Sequence, residues 1–391
     1  MALKFGTDGI RGVANTELTP ELCLSLGRAV ARVLGGPFVV GIDTRRSGPL
    51  LQAAFTAGLA AEGADSWLMG VVPTPAVAHL AAARGWAGAM VSASHNPFAD
   101  NGIKLFAPGG VKLTDDIEAQ IEQVLAEVHG DSPTGPSGAG VGVIALDTSA
   151  LPRYVDDLVG SIAAGGLSGL RLVLDCANGS AGVVAAEVFG RAGAEVTVLH
   201  ADPDGVNINA DCGATSPEEL RRAVVQSGAD AGLAFDGDAD RCIAIDGTGA
   251  IVDGDHVIAI CALDRRDRGV LMHDTVVVTV MTNLGFKQAM AVRGITVVET
   301  AVGDRYVLEA LDEGGFNLGG EQSGHVIFRD LATTGDGILT GLQLLSVVAR
   351  RGQSLQTLAA EAMEQLPQVL RNVRLPRRDD DLLGSLGADI A

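Results

Sequence analysis

Gly232-Leu233-Ala234-Phe235-Asp236-Gly237-Asp238-Ala239-Asp240-Arg241 is a short apolar run that opens directly into three acids at alternate positions. An apolar run of this length, bounded by turn residues, reads as a buried strand. In α/β folds, ligands collect in the loops at the carboxyl ends of such strands. Gly237 and Ala239 leave the backbone room to curl, so Asp236, Asp238 and Asp240 can aim hard oxygen ligands at one ion. Mg²⁺ favours that donor set, completed by a phosphate oxygen, and Arg241 can contact the same phosphate. An EF-hand Ca²⁺ loop is disfavoured because Gly247 stands where its twelfth-position Glu belongs. The plain alternative is a solvated acidic turn, but three close carboxylates repel unless something neutralises them.

Working outward, the same strand-then-loop pattern recurs at Phe38–Ile42, Ala89–Val91, Leu170–Leu174, Val276–Val280 and Thr296–Val298. Helical stretches at Pro20–Leu34, Pro49–Glu62, Pro217–Gln226 and Arg305–Leu311 lie between them. This alternation predicts βαβ units with helices covering largely parallel sheets. A Gly/Pro/Ser-rich break at Gly130–Gly142, a polar turn near Asp246–Asp255 and Gln365-Leu366-Pro367 divide the chain into three units of about one hundred residues and a short remainder.

Four further segments carry chemistry. Ser92-Ala93-Ser94-His95-Asn96-Pro97, followed by Asp100-Asn101-Gly102-Ile103-Lys104, trails a strand. A serine there can carry a phosphoryl group covalently, with His95 and Lys104 as nearby proton donors or cations. A polar Asn-Pro turn is the plain alternative. In Gly319-Gly320-Glu321-Gln322-Ser323-Gly324-His325 the glycines allow close approach of a ligand. Glu321 and Ser323 suit sugar hydroxyls, and Glu321 also suits a sugar amine. Phe5-Gly6-Thr7-Asp8-Gly9-Ile10-Arg11-Gly12 offers Arg11 as a phosphate contact, and Asp43-Thr44-Arg45-Arg46 adds cations, although surface ion pairing is common for any single Arg. In Val302-Gly303-Asp304-Arg305-Tyr306, Arg305 is placed to face a cleft, with Asp304 as a helix cap.

The 391 residues carry a formal net charge of −20, which disfavours nucleic-acid or anionic-membrane binding. With only four Lys, local positive charge for an anionic ligand must come mainly from Arg. No uncharged apolar run reaches the roughly 18 residues of a membrane span, and no secretory leader pattern opens the chain. The five cysteines are scattered, without CxxC or Cys/His zinc spacing, and read as buried structural thiols in a reduced, cytoplasmic setting.

FGTDGIRG, SASHNPF-DNGIK, DGDADR and GEQSGH stand in the order and spacing of the α-D-phosphohexomutase family, and the chain resembles that family over about residues 3–375. FGTDGIRG, GDRYVLE and GEQSGH look most like its phosphoglucosamine mutase branch. The resemblance implies an α/β fold of three consecutive domains with mixed and parallel sheets around a central cleft. The implied spans are residues 1–140 with the phosphoserine loop, 150–248 with the metal loop and 250–364 with the sugar loop, and residues 367–391 as a remnant of a truncated fourth domain. It implies a phosphoserine at Ser94 and one Mg²⁺ held by Ser94, Asp236, Asp238 and Asp240. Arg241, Glu321, Ser323, His95 and Arg305 become substrate contacts, while Lys104, Arg11 and His325 become unranked acid/base and electrostatic candidates. The implied partners are a hexosamine phosphate and its bisphosphate intermediate, with glucosamine 6-phosphate and glucosamine 1-phosphate interconverted on the way to UDP-N-acetylglucosamine.

The likeness stops near Leu375, and the family's Arg-x-Ser-Gly-Thr phosphate clamp does not occur in the sequence. Losing about three charge-assisted bonds of roughly 1.5 kcal/mol each predicts about a thousandfold slower turnover. A phosphomannomutase/phosphoglucomutase and a catalytically impaired sugar-phosphate binder remain alternatives. A haloacid-dehalogenase-like phosphatase is disfavoured because Asp240 stands where its Asp-x-Asp-x-Thr pattern has Thr.

Overall fold

The computed structural model describes residues 5–6, 9–128 and 135–369. Thr7, Asp8 and residues 370–391, most of the expected remnant, lie outside the described residues. The described chain builds three consecutive α/β units.

The first unit holds β1 (Ile10–Val13), β2 (Phe38–Ile42), β3 (Ser66–Val71), β4 (Ala87–Val91), β5 (Asp100–Ala107), β6 (Val111–Lys112) and β7 (Ile144–Leu146), in the order β1-β5-β4-β2-β3-β7 with β6 on β5. β2 and β4 are buried along their whole length because both sheet faces are covered. Phe38, Val40 and Ile42 pack towards α1 (Pro20–Leu34) and α2 (Gly48–Ala61), and Val39 packs towards α3 (Thr74–Arg84). α4 (Asp115–Val128) completes the first face. The sheet is mixed where the strand pattern alone predicts parallel pairing: β5 runs antiparallel to both β1 and β4. That inserted strand sets Lys104 opposite Met90 on β4, close to the loop that β4 feeds.

After α5 (Ala150–Gly160), the second unit holds β8 (Arg171–Asp175), β9 (Glu195–Leu199), β10 (Ala231–Phe235), β11 (Cys242–Asp246) and β12 (Ile251–Val252), in the order β12-β11-β10-β8-β9. β8, β9 and β10 are parallel, and β11 and β12 return as hairpins. α6 (Ala185–Arg191) and α7 (Glu218–Ser227) cover opposite faces. The third unit holds α8 (Gly254–Asp267), β13 (Thr275–Thr279), α9 (Leu284–Val292), β14 (Thr296–Thr300), α10 (Asp304–Gly314), β15 (Leu318–Gly320), β16 (Val326–Phe328), α11 (Gly337–Arg351) and α12 (Leu355–Ala362). Its sheet order is β14-β13-β15-β16, antiparallel only at β16.

One apolar cluster runs through all three units, from Val39 and Met90 through Leu172 and Phe235 to Val276 and Leu342. α11 carries much of that continuity, since a Cβ on its Gly341 would stand 2.6 Å from a Leu233 methyl group. Among the described residues no helix is long and apolar enough to cross a membrane.

Candidate active site

β4 ends at Val91, and the loop it feeds is held before it reaches any ligand. Ser94 adopts φ 52°, a left-handed conformation that costs a non-glycine residue about 1–3 kcal/mol unless its surroundings enforce it. The Ser94 N–H donates to Ser92 Oγ (3.0 Å), whose hydroxyl donates to Asp43 Oδ2 (2.7 Å). Arg45, 1 % exposed, pairs with Asp43 at 2.9 Å. Its guanidinium donates to the carbonyls of Ser94, Asn96, Pro97 and Asp100. From the second unit, Asn209 Nδ2 donates to the same Ser94 and Asn96 carbonyls at 2.9 and 3.1 Å. The buried Ser94 hydroxyl then donates to Asp236 Oδ2 at 2.6 Å.

Asp236, Asp238 and Asp240 follow β10 and are all buried, and each offers a carboxylate oxygen within 4.8 Å of the other two. Gly237 is required between them, because a Cβ there would meet the Ser94 carbonyl at 2.7 Å. Thr74 Oγ1 donates to Asp238 Oδ2 at 2.6 Å, and Lys104 Nζ stands 2.8 Å from both Asp238 Oδ2 and Asp240 Oδ2. Burial, then the charges of Asp240 and Asp238, drive the Asp236 carboxyl well above the ordinary range. Burial pushes Asp240 the same way, but Lys104, His325 and Arg241 outweigh it and hold that carboxyl well below the ordinary range. Among the described residues, Asp238 Oδ1 and Asp240 Oδ1 accept no hydrogen bond. Three buried carboxylates with two oxygens free of hydrogen bonds fit a hard divalent cation.

Beside this cluster, a cavity of about 380 Å³ opens where the three units meet. Arg11, Asp240, Arg241, Asp304, Glu321 and His325 are among its walls. Glu321 Oε1 accepts from Gly303 N–H at 3.2 Å. His325 Nδ1 lies 3.7 Å from Asp240, and Nε2 lies 3.4 Å from Asp304. Burial lowers its pKa, yet Asp240 and Asp304 carry the net shift upward. Gly335 makes room for the His325 ring, since a Cβ there would come within 2.3 Å of it. His95 is half-buried, with Nδ1 3.4 Å from Ser94 Oγ. Burial, Arg241 and Arg11 lower its pKa and favour the neutral ring.

The fold therefore brings Ser94, Lys104, Asp236, Asp238 and Asp240 together, and sets Arg11, Arg241, Glu321 and His325 around the adjoining cavity. Ser323 is exposed on its turn and is not among the cavity-lining residues. Arg305 also lies off the cavity. It turns to Asp115 and Glu118 on α4, while Asp304 pairs with Lys112 rather than capping α10 through its side chain. Sequence reasoning missed the supporting shell of Asp43, Thr74 and Asn209, and it read Arg45 only as a general cation or surface ion-pair partner rather than as the buried support under the loop. Only the pairing of Asp43 and Arg45 at the end of a buried strand offered a signal.

Residues 2–130, 152–249 and 253–366 match, in turn, the α/β/α domains I, II and III of phosphoglucomutase/phosphomannomutase. A phosphoglucosamine mutase of Frankia casuarinae is 55 % identical over 388 residues, covering 96 % of this chain and 84 % of the relative. One of Symbiobacterium thermophilum is 54 % identical, covering 97 % and 86 %. Among solved structures, a putative phosphomannomutase of Thermus thermophilus superposes with TM-score 0.82 at 26 % identity, over 93 % of this chain and 83 % of that one. A phosphoglucomutase/phosphomannomutase family protein of Burkholderia thailandensis gives TM-score 0.79 at 29 % identity, over 93 % and 80 %.

Proposed function

The chain belongs to the phosphoglucomutase/phosphomannomutase family, the α-D-phosphohexomutases, and from that premise we propose that it acts as a phosphoglucosamine mutase with Ser94 as the phosphoryl carrier. It is an isomerase that interconverts glucosamine 6-phosphate and glucosamine 1-phosphate. The observation that carries the reading is the Ser94 hydroxyl 2.6 Å from the first of three buried, clustered aspartates.

A free sugar hydroxyl attacks the phosphoryl group on Ser94. The bond from phosphorus to Oγ breaks, a bond to the sugar oxygen forms, and the hydroxyl proton leaves to a base at the site. Lys104 or His325, whichever is neutral at that moment, takes the proton, becomes a cation beside the carboxylates, and returns the proton in the second half-reaction. The resulting bisphosphate turns over and returns its other phosphoryl group to Ser94. Charge builds on the phosphoryl oxygens in a loose transition state, and Lys104 and Arg241 beside the carboxylate loop oppose it. Asp236, Asp238, Asp240 and the phosphate on Ser94 would hold Mg²⁺, which when bound supplies Lewis-acid stabilisation of those oxygens. Arg11 and Arg241 line the cavity as phosphate contacts, and Glu321 puts a carboxylate where a cationic sugar amine can pair with it. A cytoplasmic setting belongs to the same reading, because the five cysteines are free and buried.

Intact mass of the native chain, read beside turnover of glucosamine, glucose and mannose phosphates, tests this. One phosphate, absent after Ser94→Ala together with the activity, is the expected result. Turnover by the Ser94→Ala chain would remove Ser94 from the mechanism. A preference for glucose or mannose phosphates would replace the substrate assignment and leave the phosphoserine standing.

A further inference from the structure

At the carboxyl ends of β8 and β9, away from the sugar cavity, a second set of ligating atoms converges. Asp175 ends β8, His200 follows β9, and Cys212 closes the loop that begins at His200. A carboxylate oxygen, a ring nitrogen and the Cys212 sulfur lie within 4.8 Å of one another. Asp175 and Cys212 are wholly buried, and Asp175 is fixed by the N–H groups of Ala177 (3.0 Å) and Gly213 (2.9 Å). His200 sits at φ 50° with Nδ1 3.0 Å from Asp175 Oδ1. Its Nε2 faces Glu219 at 3.4 Å, and the His200 and Glu219 side chains are 21 % and 53 % exposed, so the cluster borders solvent on that side.

We propose that Asp175, His200 and Cys212 form a second cation site, separate from the Asp236–Asp240 loop, that takes a divalent ion of the zinc class. One oxygen, one nitrogen and one sulfur donor favour a borderline-soft transition ion, whereas the all-carboxylate loop favours a hard one. Tetrahedral zinc with bonds of about 2.0 Å to O and N and about 2.3 Å to S sets oxygen and nitrogen roughly 3.3 Å apart and sulfur roughly 3.5 Å from each, against 3.0 Å between Nδ1 and Oδ1 here. On binding, the thiol proton leaves to solvent as the sulfur–metal bond forms. The Nδ1 lone pair turns to the ion, and the ring proton shifts to Nε2, where Glu219 accepts it and fixes the tautomer. One proton is released, and water completes the shell. Both ends of the His200–Cys212 loop are then tied to one ion, and that loop carries Asn209, which holds the Ser94 and Asn96 carbonyls.

Cobalt(II) titrated into the full chain with magnesium in excess tests the site, because a thiolate ligand gives a charge-transfer absorption that carboxylates cannot give. The expected result is one equivalent of thiolate-bound cobalt, lost in Cys212→Ser and in His200→Asn and displaced by zinc. No such absorption, or one that persists in Cys212→Ser, overturns the proposal. Should either variant fail to fold, zinc-edge X-ray absorption of the unaltered chain decides. One sulfur at about 2.3 Å with nitrogen and oxygen at about 2.0 Å supports the site, and a shell without sulfur overturns it.

Discussion

The first unit meets the second and the third in different ways. Towards the second unit its contacts are short and mostly engage backbone. Thr74 N–H donates to the Asp238 carbonyl (2.9 Å), Thr44 Oγ1 to the Asn178 carbonyl (2.6 Å) and Arg46 N–H to the Gly205 carbonyl (2.8 Å), while Asn209 holds the Ser94 loop. Towards the third unit the ion pairs lie at the ends of long side chains: Arg305 with Asp115 and Glu118, and Lys112 with Asp304. The Asp115 side chain is 80 % exposed. Asp115 is the one open group, since the Arg305, Glu118, Lys112 and Asp304 side chains are only 10–13 % exposed. Backbone contacts fix geometry to tenths of an ångström, whereas the ends of long Arg and Lys side chains keep rotational freedom. The phosphoryl-transfer end is therefore preset, and the sugar end is held by contacts that can yield.

Lys104→Met strikes the preset side hardest. Removing the cation that faces Asp238 and Asp240 leaves buried charge unpaired, which should destabilise the metal-free protein by about 3–5 kcal/mol. Urea denaturation in EDTA should show that loss, and Mg²⁺ should restore part of it. Equal midpoints for variant and parent in EDTA would mean the carboxylates are neutralised by other means.

Next comes α11, whose first N–H, on Gly337, donates to the Ala239 carbonyl inside the aspartate loop. Its cap, Asp336, accepts from the N–H groups of Ile338 and Leu339 and from the Tyr154 hydroxyl. Burial pushes its carboxyl up to about 6, against about 3.9 unfolded. The folded chain thus binds this proton more tightly. The stabilisation, of order 2–3 kcal/mol, is complete below about pH 4 and lost as pH rises through about 6. Asp336→Asn keeps an acceptor and should flatten that slope in denaturation curves compared between pH 5 and 7.5.

Asn209→Ala removes two hydrogen bonds from the Ser94 loop but no group that touches substrate. A fall in kcat of about 10–100-fold with little change in KM is expected. A change confined to KM would place Asn209 in binding instead. Arg305→Ala should have the smallest effect on turnover, because Arg305 lies off the cavity, although it leaves the largely buried Glu118 without its cation. It should raise KM modestly with little change in kcat, as steady-state kinetics will read.

Much of this was legible in one dimension. Strands such as Phe38–Ile42 and Ala231–Phe235 and the helix Pro20–Leu34 announce themselves because a strand buried on both faces needs an unbroken apolar run, and a helix between strands needs its own period and cap. The inserted antiparallel β5 did not, since strand direction is decided by pairing rather than by local pattern. Arg305 was misjudged for a similar reason. The residues opening α10 point in different directions, and which of Asp304 and Arg305 meets the cavity depends on how α10 lies against β6 and α4.

The sequence by itself determined the α/β layering, the serine loop and the aspartate loop, because each is written in consecutive residues whose chemistry is local. Tertiary structure alone decided what surrounds them: Arg45 beneath Ser94, Thr74 on Asp238, and Asp175, His200 and Cys212 side by side. Those residues are 12 to 164 positions apart in the chain, and no local pattern fixes the direction of their side chains. They meet only when the packing of three sheets, with α11 bridging two of them, sets the distances.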